Sequence, residues 1–150
     1  MLCFVYFPYG KYIIHLCRSN EPYIFRCVAS AAHLFIFGGI FMKLMIAGSR
    51  SITDFDLTPY IPEGVHTIIS GGAKGVDALA EQYADKHKLS KIIILPRYDV
   101  YGKFAPIRRN YEMVELADVV LVIWDGKSKG ALSTIKYAEK SNKQLIVIKI

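Results

Sequence analysis

A glycine-rich turn at residues 70–77 carries the residues of this sequence that are best suited to chemistry. It reads Ser-Gly-Gly-Ala-Lys-Gly-Val-Asp, follows an apolar run and precedes an amphipathic helical pattern. Backbone N–H groups at such a turn and at the start of the next helix point the same way, which makes an anion site. Gly71, Gly72 and Gly75 leave no Cβ to block a phosphate. A tight strand-to-helix turn without a ligand is the alternative interpretation.

Small, polar or cationic residues also follow the other predicted strands. The four strand ends carry Gly48-Ser49-Arg50, Ser70-Gly71-Gly72, Pro96-Arg97 and Asp125-Gly126. In open parallel sheets, ligands bind outside the carboxyl ends of the strands, where the strand order reverses. The amino ends show no comparable set, and the pattern therefore predicts a phosphate or nucleotide site.

Five charged residues near these strand ends and helix starts bear on that prediction. Arg50 is either a solvated surface residue or a phosphate clamp, because guanidinium binds phosphate in bidentate fashion. Arg108 and Arg109 open a predicted helix, where the macrodipole disfavours cations, and this placement indicates a nearby anion. Asp77 either complements the dipole of its helix or binds a ribose hydroxyl. Asp125 either starts a turn with Gly126 or accepts from a ribose or base.

Strands and helices alternate from residue 42 onward. Apolar runs predict strands at 44–47, 66–69, 91–95, 119–124 and 145–150, and the periodicity predicts helices at 54–60, 74–87, 106–117 and 130–141. The helix at 106–117 is expected to bury Ile107, Tyr111 and Val114. Apolar strands that alternate with helices are typical of a sheet covered on both faces. We predict a Rossmann-like three-layer α/β fold with a mainly parallel sheet of about five strands.

Residues 1–41 differ from the rest of the chain. They hold all three cysteines and few charged side chains, and they show neither a helical nor a strand period. The cysteines have no metal-ligand spacing, and the uncharged run at 27–42 is short for a membrane span. We expect a poorly ordered apolar extension outside the native domain of residues 42–150, with Met42 as the natural start of a cytoplasmic domain. A membrane-associating or export segment and a genuine structural extension are the alternatives.

The charge balance is basic but dispersed, with 19 Lys and Arg against 13 Asp and Glu in 150 residues. No block rich in Lys and Arg of the nucleic-acid type occurs. No cluster of His, Cys, Asp and Glu indicates a metal, and we expect no cofactor. The basic balance fits an anionic small ligand as well as it fits DNA.

Several short motifs follow one another along residues 47–130. They are Ala47-Gly48-Ser49-Arg50, Ser70-Gly71-Gly72-Ala73-Lys74-Gly75-Val76-Asp77, Arg109-Asn110 with Met113, Ala117-Asp118, and Trp124-Asp125-Gly126-x-Ser128-x-Gly130. In this order, the motifs resemble the YspA-type (cpYpsA-related) branch of the SLOG superfamily. Relatives include the Lonely Guy phosphoribohydrolases, DNA-processing protein A and sensor domains of bacterial and phage conflict systems.

The resemblance implies a Rossmann-like domain that binds a nucleotide-derived ligand, either ADP-ribose-like or a nucleoside phosphate. It implies a ligand site made of Gly48, Ser49, Arg50, Gly71, Gly72, Gly75, Asp77, Arg109, Asn110, Asp125, Gly126, Ser128 and Gly130. The glycine-rich turn adds Ser70 and Ala73 to this set, the end of the third strand adds Arg97, and the start of the predicted helix at 106–117 adds Arg108.

One departure from the family bears on catalysis. The Lonely Guy enzymes place a glutamate after the fourth strand, and Thr134 stands where it would be. A hydroxyl cannot supply the charge of that carboxylate or act as its general base. We therefore expect a sensor or sequestering module. A phosphoribohydrolase, with Arg109, Asp77 or Asp125 as candidate catalytic residues, and a single-stranded DNA-binding protein are the alternatives. We expect no stable membrane association, and two-fold pairing into a homodimer is an open option.

Overall fold

The computed structural model describes residues 2–7, 10–15 and 41–150 of the chain. Seven strands form one sheet: β1 (Leu2–Phe7), β2 (Gly10–His15), β3 (Met42–Gly48), β4 (Val65–Ser70), β5 (Ser90–Ile93), β6 (Val119–Trp124) and β7 (Gln144–Lys149). The α-helices are α1 (Val76–Lys86), α2 (Tyr98–Tyr101), α3 (Ala105–Leu116) and α4 (Lys129–Lys140). Single 3-10 turns lie at Thr58–Tyr60 and Gly102–Phe104.

Five of the strands are parallel, which confirms the predicted fold class. The sheet has the order β2-β1-β7-β6-β3-β4-β5, and β3 through β7 run in one direction. The chain moves outward from β3 to β4 and β5, and then crosses to β6 on the other side of β3. Because the winding reverses there, the carboxyl ends of β3 and β6 form the topological switch point of the sheet.

The core lies in two layers, one on each face of the sheet. One cluster packs α1 against Leu44, Ile46 and Ile68, and the other packs α3 and α4 against Met45, Val120 and Leu145. Adjacent residues of each strand point to opposite faces, so an apolar run supplies both layers at once. The three-layer arrangement predicted from the strand composition is therefore present.

The first two strands are antiparallel, and the sequence analysis assigned no strand to this part of the chain. β1 pairs with β7, from Leu2 opposite Lys149 to Tyr6 opposite Leu145, and β2 pairs with β1. The residues of β1 are uniformly apolar and show no alternation, so a sequence pattern of period two could not reveal it. Residues 16–40, with Cys17 and Cys27, lie outside the described residues. Whether residues 1–41 belong to the native domain stays a prediction.

One predicted helix was wrong in extent, and one observed helix was not predicted. Residues 54–60 form only the 3-10 turn Thr58–Tyr60, because the Asp56 carboxylate accepts the Thr58 N–H at 3.0 Å and Pro59 has no N–H to continue a helix. The short helix α2 was not predicted. It lies in the segment between β5 and α3, and a helix of one turn is too short to produce a periodic pattern in the sequence.

The buried face of α3 also differs from the prediction. Ile107 is 36% exposed and Tyr111 is half-buried, whereas Arg109, Asn110 and Met113 are buried along with Val114. The periodicity favoured the apolar side chains, but two polar residues lie inward because each finds hydrogen-bond partners there. This rotation of α3 determines the floor of the candidate site.

Candidate functional site

A cavity of about 400 Å³ lies at the switch point and is called the main cavity below. It opens between the carboxyl ends of β3 and β6, and the N-terminal ends of α3 and α4 reach its wall. Its lining contains Ala47, Gly48, Arg50, Ser51, Ala73, Asp77, Pro106, Arg109, Asn110, Asp125, Ser128, Gly130, Ala131 and Thr134. Small-molecule sites usually measure roughly 300–1,000 Å³, so the volume suits a ligand of nucleoside size.

A second cavity of about 300 Å³ adjoins the main cavity on the side of β5. It is lined by Arg50, Gly71, Gly72, Ala73, Lys74, Pro96, Tyr98 and Arg109. Three of these residues, Arg50, Ala73 and Arg109, also line the main cavity. The two cavities therefore meet where the loop after β3 approaches the loop after β4.

Close backbone packing explains two glycines of the predicted phosphate turn. A Cβ on Gly71 would overlap the Arg109 guanidinium and crowd the Asp77 carboxylate. Gly75 has φ +79°, and a Cβ there would lie 2.7 Å from the Cα of Arg50. The glycines of this turn thus allow close contact with Arg50, in the loop after β3, and with the buried pair of Arg109 and Asp77. Gly71 and Gly72 line the second cavity as well.

Arg109 forms the floor that both cavities share. Its guanidinium donates to the carbonyl oxygen of Gly71 and, through Nε, to Asn110 Oδ1 at 3.0 Å. It also lies 3.8 Å from the Asp77 carboxylate, and both side chains are less than 10% exposed. Burial lowers the pKa of Arg109, and the nearby charge of Arg50 adds to that effect, whereas Asp77 opposes it. Arg109 is therefore a buried cation fixed by protein groups.

The carboxyl group of Asp77 faces both the cavity and the first turn of α1. It accepts the Ala73 N–H at 3.3 Å, and this contact orders the glycine-rich turn. Burial raises the pKa of Asp77, and the charge of Arg109 and the N–H of Ala73 oppose the change. Asp77 thus has two structural roles: its carboxylate complements the dipole of α1, and it orders the glycine-rich turn.

A chain of hydrogen bonds continues from Arg109 across the base of the main cavity. Asn110 Nδ2 donates to the Thr134 hydroxyl at 2.8 Å, and that hydroxyl donates to the Gly130 carbonyl oxygen at 3.1 Å. Thr134 is fully buried and tied to both partners. The Thr134 hydroxyl therefore links α3 to α4.

Asp125 orders the loop between β6 and α4. Its Oδ1 accepts the N–H groups of Ser128 at 2.8 Å and Lys127 at 2.9 Å, and its Oδ2 accepts the Ser51 hydroxyl. The N–H groups of Ser128 and Lys127 hold the pKa of Asp125 well below its ordinary value. The Ser128 hydroxyl in turn caps α4 by accepting the Ala131 N–H. This carboxylate is ionised and already occupied with loop contacts.

Four predicted site residues lie beneath the cavities and do not line them. Ser49 is buried and accepts the N–H of Asp125 at 3.0 Å. The buried Ser70 hydroxyl donates to Glu81 and accepts the Gly72 N–H. Gly75 and Gly126 adopt positive φ within the loops. These residues shape the two loops from below.

The exposed cations at the edge of the site have different partners. Arg50 has no hydrogen bond or ion pair with any side chain of residues 41–150. Arg97 lies 4.0 Å from Glu112 and over the ring of Tyr101, and Arg108 lies on that ring as well. Arg97 and Arg108 line neither cavity, whereas Arg50 lies at the junction of the two.

Several lining residues were not among the predicted site residues. Tyr98 and Pro96 line the second cavity, and Ser51, Pro106, Ala131 and Thr134 line the main one. Their positions just after strand ends or at helix starts were the signal that could have found Ser51 and Pro96. Tyr98 lies on the unpredicted α2, and Thr134 lies one helical turn into α4, so neither carried such a signal.

No protein-family model matches the chain, and no curated protein matches it either. Among solved structures, the X-ray structure of DNA processing protein A (DprA) from Streptococcus pneumoniae has a similar fold, with a TM-score of 0.54 and 19% sequence identity. The match covers 71% of this chain and 50% of that chain, so this chain spans about half the length of its structural neighbour. At this identity the likeness concerns architecture alone: the chain has a Rossmann-like α/β fold similar to that of DNA processing protein A.

Proposed function

We propose that this protein binds a nucleotide-derived ligand, ADP-ribose-like or a nucleoside phosphate, as a sensor or sequestering module. One observation carries the proposal. Arg50 stands at the junction of two cavities at the switch point of the sheet, exposed and without a partner among residues 41–150. A guanidinium in that position can bind a phosphate through two parallel hydrogen bonds.

The charges around Arg50 support an anionic ligand. The guanidinium of Arg109 lies beneath the same space, and Lys74 lines the second cavity. Cations that face one space repel each other, and an anion between them relieves that repulsion. The start of α1 lies beside them, and the residue at its N-cap is Gly75, which has no side chain to cap it. A phosphate near this helix start would be stabilised by the helix dipole.

The state of the carboxylates favours binding over hydrolysis. Asp77 and Asp125 are the acidic residues that line the main cavity. Asp77 is paired with Arg109, Asp125 accepts three hydrogen bonds, and Thr134 has no acidic function. A glycosidic hydrolase needs a carboxylate that is free to stabilise an oxocarbenium-like state or activate water. The YspA-type assignment and a cytoplasmic location belong to the same proposal and rest on the sequence motifs.

Thermal unfolding of the full chain tests the proposal. AMP, ADP-ribose, NAD and a short single-stranded oligonucleotide would be added in turn. A ligand at about 100 times its Kd adds roughly 2.7 kcal/mol, which raises the Tm by several degrees for a protein of this size. We expect such a shift with a nucleotide, its loss in Arg50→Ala, and no loss in the control Lys86→Ala, which lies at the far end of α1. Absence of any nucleotide-dependent shift would refute the proposal.

Incubation with a nucleoside monophosphate separates the sensor from the enzyme. A binding module leaves the N-glycosidic bond intact, so we expect no free base by chromatography. Sustained base release that Asp77→Asn or Asp125→Asn abolishes would establish the hydrolase instead.

A nucleic-acid function is the second candidate, and the aromatic surface of α2 and the following turn favours it. Tyr98, Tyr101 and Phe104 are exposed there, and cations lie over two of these rings. Exposed rings beside cations are typical of single-strand binding surfaces. The structural neighbour is also named for DNA processing. Oligonucleotide affinity that falls steeply with salt would favour this function, because release of counterions produces such a slope.

A further inference from the structure

The two adjoining cavities offer different chemistry. The main cavity is lined by hydroxyl, amide and carboxylate groups, including Ser51, Asn110 and Asp125. The second cavity has the ring of Tyr98, 57% exposed, beside Pro96 and the glycine-rich turn. The first surface suits a group with many hydroxyls, and the second suits a flat ring.

Away from its junction with the second cavity, the main cavity is a poor place for a phosphate. Arg50 and Arg109 line it at the junction, but two carboxylates, Asp77 and Asp125, line it as well, and they repel an anion that lies beyond the reach of the arginines. The Oδ2 atom of Asp125 has the Ser51 hydroxyl as its partner, and a carboxylate oxygen can accept a second donor such as a sugar hydroxyl. A neutral sugar therefore fits this cavity better than an anion does.

Cations meet at the junction of the cavities instead. Arg50 lies there with its guanidinium unpaired among residues 41–150, Arg109 lies below, and Lys74 lines the second cavity. The carboxylates of the main cavity are on one side of this junction, and the ring of Tyr98 is on the other. Three surfaces therefore lie side by side: the hydroxyl-binding main cavity, the cationic junction and the aromatic second cavity.

We infer, in an extension that rests on the proposed function, that the ligand is an extended nucleotide whose pyrophosphate joins a nucleoside to a second sugar. The base stacks on Tyr98 in the second cavity, the pyrophosphate binds Arg50 at the junction, and the second sugar occupies the main cavity. A nucleoside monophosphate fills only one of the two cavities and leaves the hydroxyl-binding groups of the other without a ligand.

Isothermal titration calorimetry on the full chain compares three probes: ADP-ribose, AMP and ribose 5-phosphate. AMP lacks the second sugar, and ribose 5-phosphate lacks the base. We expect ADP-ribose to bind at least about tenfold more tightly than either, because it contacts all three surfaces. Equal affinity of AMP and ADP-ribose would overturn the inference and leave the proposed function standing. Failure of all three probes would overturn both.

Two variants test the two cavities separately. Tyr98→Ala removes the stacking surface and should weaken ADP-ribose binding by about tenfold, because the base then has no ring to stack on. Tyr98→Phe keeps the ring and should restore binding. Tyr101→Ala is the matched control, because Tyr101 lies on the same helix and lines neither cavity. Unchanged ADP-ribose affinity in Tyr98→Ala would contradict the placement of the base.

Gly130→Leu tests the placement of the second sugar. Gly130 lines the main cavity, and a Cβ there would have only the Ser128 hydroxyl within 4.0 Å, so a side chain at this position begins in open space beside the cavity. We expect it to weaken ADP-ribose at least about tenfold more than AMP. Equal losses for the two ligands would contradict an assignment of the second sugar to the main cavity.

Discussion

Arg109 and Arg50 line the same two cavities, yet their surroundings are opposite. Arg109 is 8% exposed and has three protein partners, namely the Gly71 carbonyl, the Asn110 side chain and Asp77. Arg50 is exposed and has no partner among residues 41–150. Arg109 therefore belongs to a fixed floor of the site, and Arg50 belongs to an exposed edge that is free to bind a ligand.

The difference shows how one site can combine rigidity with affinity for an anion. The charge of Arg109, at the floor, interacts with protein groups, so the position of this side chain does not depend on a ligand. The charge of Arg50, at the edge, has no such partner among residues 41–150. A ligand can therefore bind Arg50 without breaking a contact within that part of the protein. In a mutational series, floor residues should therefore change the stability of the protein, and edge residues should change affinity.

Arg109→Ala should give the largest loss of stability. It removes the cation beside the buried Asp77, and breaking a buried ion pair costs 3–5 kcal/mol. We expect a fall of about 3 kcal/mol in the free energy of unfolding, because Asp77 can take up a proton and recover part of the cost. Urea denaturation followed by circular dichroism measures this value.

Arg50→Ala is the matched comparison within the same experiment. An exposed side chain without partners should change the free energy of unfolding by less than about 0.5 kcal/mol. If the two arginine variants lost equal stability, the division into floor and edge would be wrong.

Gly71→Ala should cost about 2 kcal/mol. The new methyl group would overlap the Arg109 guanidinium, and forcing a group into a packed site costs 1–3 kcal/mol. Gly130→Ala is the control, since its new methyl group meets open space in a helix, where Ala is favoured over Gly by about 1 kcal/mol. Thermal and urea unfolding should show opposite signs for the two variants. A tolerated Gly71→Ala would show that Arg109 has another place to go.

Thr134→Val should cost about 1 kcal/mol. The substitution keeps the shape of the side chain but removes the hydroxyl that joins Asn110 to the Gly130 carbonyl, and a lost buried hydrogen bond costs 1–3 kcal/mol. Thr134→Ser retains the hydroxyl and is the control for the lost oxygen. A Thr134→Val variant as stable as the parent protein would contradict a structural role for this hydroxyl.

The parallel sheet could be predicted from the sequence, because strands depend on local signals. Apolar runs such as Val119–Trp124 define strands, and polar residues just after them lie at the carboxyl edge of the sheet. Arg50, Asp77 and Asp125 line the main cavity at this edge, and their role in binding a ligand stays a prediction.

The sequence could not separate the floor from the edge, because that distinction depends on contacts between distant residues. Arg109 reaches Gly71, 38 residues away, and Asn110 reaches Thr134, 24 residues away. A periodicity argument therefore put Ile107 inward in place of Arg109. The helix α2 could not be predicted either, because a single helical turn carries no periodic signal. The exposed ring of Tyr98, which lies on this helix, was therefore not among the predicted site residues.

Two aspartates extend the comparison to pH. Burial raises the pKa of Asp77 above 3.8, so the folded protein retains a proton there that the unfolded chain has lost. The contribution of Asp77 to stability should fall as the pH rises from 3.8 through its raised pKa. The N–H groups of Ser128 and Lys127 lower the pKa of Asp125, so its contribution is complete above pH 3.8 and is lost as the pH falls below it.

Unfolding of Asp77→Asn and Asp125→Asn in parallel with the parent protein, from about pH 3 to about pH 7, measures the two contributions. The stability advantage of the parent over Asp77→Asn should shrink as the pH rises. Its advantage over Asp125→Asn should grow from low pH and stay constant once the pH is well above 3.8. Parallel curves for the two variants would mean that both carboxylates share one environment, and the distinction between a buried floor residue and a loop residue at the edge would then fail for the acids.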